Sequence, residues 1–453
     1  MSEITSSTID VGKLIDDSTL NSVSISVILM CGLIMLMDGY DYTIISVAGP
    51  VIMKEWNVGT KAFGVALTAA PFGYLLGALI FGTLSDKIGR KKTLILASFF
   101  FSVGTLLVYF SQSLQSLIPI RAFTGIGIGG AVPCAITLTS EYSPLKGRGK
   151  YISVMYSGFL LGIVLGGFVA GFMLDKLGWR PLFLVGFVAP VLAIALLWLK
   201  LPESARWLSV RYQNESQRKT LSEVAKRMQP GIQIVSATRF VSAGSNKEKA
   251  FAKELFSGKL AWVTPVVWTY YLISSIAVFF IGNWGPKLLV NMSFSASQAA
   301  NITGAGGILV AIACLLSGFF YDRVGFRWGS ILHVIAAACM VVFATGLGPV
   351  GFVAVWIVSG FFINAAHMDV TILAPIIYPP NCRNLGAGTA IATARIGAMI
   401  GPSLGGILLA STTLTMQRVL AFVSVPLLMA AVLCYIAGRQ YDFHFAPLYS
   451  GKR

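Results

Sequence analysis

Charge is what this sequence has least of. Asp, Glu, Lys and Arg together make up 11% of its 453 residues, against about 25% in a soluble domain. Hydrophobic residues make up 56%, and the mean hydropathy is +0.77. A soluble core of this size cannot bury that much apolar side chain while showing water so few charges. An ordinary soluble enzyme, a disordered chain and a secreted disulfide scaffold are excluded, and a polytopic all-α membrane protein remains. Histidine is scarcer still, with three residues. There is no H-E-x-x-H and no Walker loop, so no catalytic residue, metal site or cofactor is expected. The six cysteines form no C-x-x-C pair and sit mostly in apolar runs. They read as small core residues and not as disulfides or metal ligands. A basic leader is missing too: Glu3, Asp10, Asp16 and Asp17 stand against Lys13. Residues 1–22 therefore read as a disordered cytoplasmic tail and not as a cleavable signal.

What charge there is leans basic, with 34 Lys and Arg against 18 Asp and Glu, a net +16. The basic residues fall in short runs between apolar stretches, as in Asp86-Lys87-Ile88-Gly89-Arg90-Lys91-Lys92. That is the pattern of cytoplasmic loops in a membrane protein. No basic face interleaved with polar and aromatic residues is visible, so nucleic-acid binding is excluded.

Apolar runs long enough to span a bilayer occur near 23–47, 62–84, 93–112, 114–140, 150–174 and 181–200. A second set lies near 260–285, 297–320, 329–348, 351–377, 386–410 and 418–438. The expected organisation is a tail (1–22), a six-helix bundle (23–201), a cytoplasmic linker (202–258), a second six-helix bundle (259–438) and a C-terminal cytoplasmic tail (439–453). The linker holds ten Lys and Arg against five Glu, which places it on the cytoplasmic side with both termini.

The two halves repeat. Gly82-Thr83-Leu84-Ser85-Asp86-Lys87-Ile88-Gly89-Arg90-Lys91 has a partner 236 residues on, Gly318-Phe319-Phe320-Tyr321-Asp322-Arg323-Val324-Gly325-Phe326-Arg327. The same offset carries Pro144 onto Pro380. An offset of 235 carries Gly162, Gly166 and Gly171 onto Gly397, Gly401 and Gly406. Duplicated halves of this kind put a substrate path at their interface, near the bilayer midplane.

The loop from Gly82 resembles motif A of the major facilitator superfamily, and Arg121-Ala-Phe-Thr-Gly125-Ile-Gly127 resembles its motif B. Asp38-Gly39-Tyr40-Asp41 resembles the D-G-[FY]-D signature of the aromatic acid:proton symporters within it. Tyr378-Pro379-Pro380-Asn381-Cys382-Arg383-Asn384-Leu385-Gly386 and Arg395-Ile396-Gly397-Ala398 also fit that group. The resemblance covers nearly the whole chain. It implies twelve membrane helices in two pseudo-symmetric bundles and uptake of a small organic carboxylate with protons across the bacterial inner membrane. A proton is then the coupling ion and the lipid bilayer and the acid are the partners, for a protein expected to work as a monomer. One departure stands out: the tenth span carries His367 and Asp369 where the family picture has neutral residues.

Charges inside hydrocarbon are rare and are usually paired or used. Here they are Asp38, Asp41, Arg121, Asp369 and Arg395, with His333 and His367. Asp38 and Asp41 are three residues apart on one helix face. Two carboxylates so close in low dielectric resist joint ionisation, so one of them is free to carry a proton; the plainer reading is a structural ion pair. Arg121 and Asp41 lie at similar depth, so an Arg–Asp contact is expected, and the motif B resemblance gives Arg121 a part in proton coupling. Arg395 has no acid near it in sequence, and its planar fork suits a carboxylate. It is expected to clamp substrate or, failing that, to pair with Asp369. Asn364, His367 and Thr371 share a face that would contact substrate or simply pack. Asp369 points about 200° away from His367, so only one of them faces a cavity. His333 is read as packing. Among Tyr40, Tyr42, Phe72, Tyr74, Tyr156, Trp284 and Phe361, Tyr40 is the preferred aromatic contact because it lies within the helix signature; Asn283 with Trp284 is a weaker one.

On the resemblance, motif A is a gate. Asp86 and Arg90 brace helix ends, with Glu141 and Arg148 in the same network. Asp322 and Arg323 form a second-half copy weakened by Phe326, and the loop Pro202-Glu203-Ser204-Ala205-Arg206-Trp207 braces the same charges. Two other motifs mislead. Gly125-Ile-Gly127-Ile-Gly129-Gly130 contains G-x-G-x-x-G, and Gly401-Pro402-Ser403-Leu404-Gly405 matches G-x-S-x-G, yet neither follows a strand. The alternative function is a proton-coupled efflux antiporter of the same superfamily. Efflux members carry G-x-x-x-G-P-x-x-G-G in the fifth span. Here that span lacks the proline, and the proline pattern lies in the eleventh, which favours import.

Overall fold

The computed structural model describes residues 8–210, 215–228, 232, 238–241, 252–324, 326–378 and 382–444. Twelve helices are long and apolar enough to cross a bilayer. The first half comprises α2 (Ser22–Glu55), α3 (Thr60–Ile88), α4 (Arg90–Tyr109), α5 (Leu114–Tyr142), α6 (Arg148–Leu177) and α7 (Arg180–Lys200), after a short strand β1 (Thr8–Asp10) and helix α1 (Val11–Asp16). Between the halves come α8 (Ala205–Ser209), α9 (Glu215–Met228) and β2 (Arg239–Val241). The second half comprises α10 (Leu260–Asn291), α11 (Ala296–Val324), α12 (Phe326–Val342), α13 (Pro349–Ile377), α14 (Arg383–Leu409), and a last span in two pieces, α15 (Met416–Phe422) and α16 (Ser424–His444). The break between the last two has a local cause: Pro426 lacks the N–H that would bond the Phe422 carbonyl.

Packing repeats as the sequence does. In the first half α2 lies on α6, α3 on α5 and α4 on α7; in the second, α10 lies on α14, α11 on α13 and α12 on α16. The repeated glycines explain the match. A Cβ on Gly162 would strike the Leu36 carbonyl of α2, and one on its repeat Gly397 would strike the Leu272 carbonyl of α10. The next repeated pair faces the other half: Gly171 meets Asn301 of α11, and Gly406 meets Thr60 of α3. The motif B glycines do the same work, with Gly125 against Ala70 and Gly129 against Tyr74. Neither of the misleading glycine motifs lies in a loop; both are inside helices.

The halves touch each other through α3 with α14, α6 with α11, and α2 with α10. The hydrogen bonds joining them cluster at the end away from the termini. Thr68 Oγ1 lies 2.5 Å from Ser403 Oγ, and Thr60 donates to the Gly406 carbonyl at 3.1 Å. Ser295 donates to Asp175 at 2.8 Å.

Two expectations are corrected. The N-terminal tail is folded from Thr8 onward. β1 pairs in parallel with β2, and Val11 and Ile15 of α1 are fully buried. The short polar run hides an apolar stripe that packs beneath the first half. The first span is also longer than expected, running through Pro50 to Glu55, since a proline near a helix end in a bundle loses only one bond.

Tight packing at the repeated glycines sets a stability test. Gly162→Ala should destabilise the purified protein by about 1–3 kcal/mol through overpacking. Gly388→Ala, whose Cβ would meet nothing within 4 Å, should leave it unchanged or gain about 0.4–1 kcal/mol. Thermal unfolding in detergent compares the two.

Candidate functional site

The first half builds its polar centre around Gly39. With no side chain there, the Phe159 carbonyl of α6 packs directly on α2. That approach turns Asp41 toward α4 and α5. Arg121 Nη1 reaches both oxygens of Asp41, at 3.0 and 2.8 Å, and the two side chains are 4% and 2% exposed. Thr105 Oγ1 adds a longer contact to Asp41 at 3.4 Å. The expected Arg–Asp contact is therefore present, and it is buried.

Asp38, one turn earlier, is half-buried and looks elsewhere. Its strongest charged neighbour is Arg395 of the second half, ahead of Asp41 and Arg121. The two acids thus sit in different company: Asp41 is held inside the first half, whereas Asp38 faces the gap between halves.

Arg395 comes from the middle of α14. Its guanidinium lies over the Tyr74 ring, 3.7 Å from the centroid, a cation–π contact. Among the described residues no carboxylate oxygen lies within 4 Å of it. Tyr74, Tyr156 and Asp38 of the first half lie within its electrostatic reach, and so do Tyr271 and His367 of the second. His367 Nδ1 lies 2.9 Å from Ser274 Oγ, and its ring meets Tyr271 edge-on at 5.9 Å. Tyr271 donates to Thr371 at 3.0 Å. The result is a cation lying on the face of one tyrosine, with further tyrosines nearby, at the junction of the two halves.

Three expected site residues sit differently. The Tyr40 hydroxyl donates to the Leu182 carbonyl at 3.0 Å, and the ring is 6% exposed inside the first half. Tyr74 and Tyr156 take the place expected of Tyr40; both were on view in the sequence with nothing to set them above other aromatics. Asp369 does not pair with Arg395. It is 1% exposed and accepts from Ser317 of α11 at 2.7 Å, so on α13 it is His367 that faces Arg395. The Asn364 amide donates to Gly360 in its own helix at 2.8 Å. The weaker pair also packs inward: the Trp284 indole donates to the Pro402 carbonyl at 2.9 Å.

At the end bearing the termini, Arg90 contacts Asp86 at 3.1 Å and Glu141 at 3.6 Å. Arg148 is not in that cluster. It pairs with Asp16 of α1, which also takes Arg206 at 2.5 Å. Sequence reading missed Asp16 because an acid in a polar tail carries no positional signal. Glu203 was missed as a residue, although its loop was singled out. Its carboxylate accepts the first-turn N–H of Lys91 at 3.0 Å, capping α4. The side chains of Asp322 and Arg323, the expected second-half copy, lie outside the described residues.

Residues 31–376 match the model of the Major Facilitator Superfamily. The chain is 32% identical to a "Gallate transporter" of Pseudomonas putida over 94% of each chain. It is 30% identical to a "4-hydroxybenzoate transporter" of Acinetobacter baylyi, covering 95% of this chain and 94% of that one. A "3-(3-hydroxy-phenyl)propionate transporter" of Escherichia coli is 30% identical over 85% and 87%. The fold matches a bacterial homologue of the human lysosomal transporter Spinster in an inward-facing, unoccupied conformation, with a TM-score of 0.72 at 18% identity over 94% and 98% of the chains. It also matches a D-xylose-proton symporter, with a TM-score of 0.69 at 19% identity over 95% and 100%. Twelve spanning helices, duplicated halves and these relatives leave no room for an enzyme: the chain belongs to the Major Facilitator Superfamily, in the group of its aromatic acid transporters.

Proposed function

We propose that the protein carries a small aromatic or related carboxylate together with protons into a bacterial cell, by alternating access. The observation that carries this reading is Arg395, a buried-site cation with aromatic neighbours and no carboxylate of its own among the described residues. A planar guanidinium binds a carboxylate through two parallel hydrogen bonds, and Tyr74, Tyr156 and Tyr271 offer faces to an aromatic ring. His367 and Asn364 stand on the same side of α13 for ring substituents. The names of the relatives point to the same class of substrate.

Coupling falls to α2. Asp41 is held by Arg121, and Asp38 faces Arg395. A proton on Asp38 removes the negative charge that competes with the substrate for Arg395, so proton and acid favour each other's binding. In the proposed orientation both termini and the linker are cytoplasmic and the membrane is the inner one. The closed contacts around Thr68–Ser403 are then external, and the cavity opens inward. Asp86, Arg90 and Glu141 brace the first half's inner end and meet the second half when the carrier turns outward, opposite Asp322 and Arg323. The protein works as a monomer, with no cofactor beyond the coupling proton.

Purified protein in vesicles with an imposed proton gradient tests this. Labelled gallate, 4-hydroxybenzoate, benzoate and muconate are offered, and at least one should accumulate only while the gradient lasts. Accumulation that survives collapse of the gradient defeats coupling; expulsion of the acid supports efflux instead.

Arg395→Ala should weaken binding of the accepted acid by roughly 10- to 150-fold, the loss of a charged hydrogen-bonded contact worth about 1.5–3 kcal/mol. Arg395→Lys should fall between. Calorimetric titration reads both, and wild-type affinity in the alanine variant removes the clamp.

Asp41→Asn leaves Arg121 buried without its acid, which should cost about 3–5 kcal/mol of stability. The double variant Asp41→Asn/Arg121→Gln should recover part of that while still failing to accumulate substrate. Thermal unfolding and vesicle uptake measure the two effects separately.

A further inference from the structure

The second half buries an acid that the proposed cycle does not use. Asp369 is 1% exposed in the membrane span of α13. One oxygen accepts from Ser317 Oγ at 2.7 Å; the other has no hydrogen-bond partner among the described residues. No Lys, Arg or His nitrogen among the described residues comes within 4 Å of it. Among the described residues, no helix packed around it presents a counter-charge at this point. α11 presents Ser317 and α12 presents its backbone at Gly329, where a Cβ would lie 2.8 Å from the free carboxyl oxygen and 2.8 Å from Cys434 Sγ of α16. One turn on in α12 is His333, fully buried, with Tyr270 of α10 at 5.4 Å from its ring.

The first half solves the same problem in another way. Asp41 is neutralised by Arg121. The repeat offset of 236 carries those two positions onto Ala277 and Ile357, so the second half has lost that pair and placed its acid elsewhere. A buried carboxyl group with a single hydroxyl partner and no cation is neutral, because hydrocarbon does not tolerate a bare charge. Neutrality here means a proton on the free oxygen. His333 points the same way. Its Nδ1 lies 2.8 Å from the Gly329 carbonyl and must therefore donate, which leaves Nε2 a buried acceptor without a partner among the described residues.

We propose that Asp369 is a second proton-binding site of the carrier, lodged in the second half and separate from the acids of α2. Polar side chains lie between it and the substrate site. The His333 and Tyr270 rings meet tilted at 5.4 Å, and the adjacent Tyr271 meets His367, which lies within electrostatic reach of Arg395. Substrate on Arg395 is thereby sensed at Asp369, and the proton is exchanged as the helices around it shift. This deepens the proton-coupled reading and rests on it for its role in transport, though not for the existence of the site.

Infrared difference spectroscopy on the purified full chain, with and without gallate or 4-hydroxybenzoate, tests the site directly. The wild type should show a protonated-carboxyl band near neutral pH that changes on adding the acid, and Asp369→Asn should lose it. Asp369→Glu keeps the carboxyl, so the band should move and not vanish, which keeps the test open should the asparagine variant fail to fold. Ser317→Ala, which removes the one partner, should shift the band without abolishing it. In parallel, calorimetry in buffers of different ionisation enthalpy should show fewer protons linked to substrate binding in Asp369→Asn. A band identical in wild type and Asp369→Asn overturns the proposal, and so does one that substrate leaves unchanged or that follows sodium in place of pH. If vesicles show no gradient-driven uptake while the band still answers to substrate, symport fails and the site stands.

Discussion

Hydrocarbon cannot solvate charge, and every functional feature of this protein follows from how each buried charge is neutralised. An isolated ionised side chain at the centre of a membrane helix costs roughly 2.5–3.5 kcal/mol on insertion scales. The chain carries few such groups and treats each differently. Asp41 is matched by Arg121 inside one half. Arg395 rests on the face of Tyr74, a partner that softens a cation without cancelling it. Asp369 has only a hydroxyl. The first half closes Asp41 and Arg121 on each other and leaves Asp38 at the junction, whereas the second keeps a cation exposed to whatever occupies it.

The same constraint shapes how the halves meet. Where they touch, the polar and closest backbone contacts are made by small residues and single hydroxyls: Gly167 against Gly304, Thr68 against Ser403, Ser295 on Asp175. Each hydrogen bond of that kind contributes about 0.5–1.5 kcal/mol net. Aromatic rings cross the seam as well, Tyr42 against Phe279 and Phe63 against Trp284, so parting it separates apolar side chains along with these few polar contacts. The interiors of the halves are different, with whole turns of α2 and α6 locked through Gly39, Gly158 and Gly162. Within a half the backbones interlock at glycines, whereas between the halves one apolar cluster, with few polar contacts, holds the seam.

The twelve spans were legible because an apolar run of twenty residues has few other uses. Their ends were not, since Pro50 reads as a break in sequence while the surrounding bundle carries the helix on to Glu55. The Arg121–Asp41 contact was legible from depth alone. Tyr40 shows where such reading stops. Its place beside Asp41 marks it as a site residue, but its direction is set by the Leu182 carbonyl across the bundle, which nothing local encodes. For His367 and Asp369 the helical turn says that they diverge, and only the packing of α11 and α12 says which way. Asp16 was invisible for the opposite reason: its partners, Arg148 and Arg206, are far away in sequence and meet it only once the tail has folded.

That folded tail alters the mechanics of the join between halves. β1 is hydrogen-bonded to β2 near the end of the linker, and Asp16 ties the start of α6 to the loop after α7. The described pieces α8, α9 and β2 therefore pack with the first half. Only residues 242–259 remain between Val241 and the start of α10 at Leu260. The tether is shorter than the full polar insert, so the length of this stretch, and not of the whole insert, bounds how far the halves can separate at the end bearing the termini.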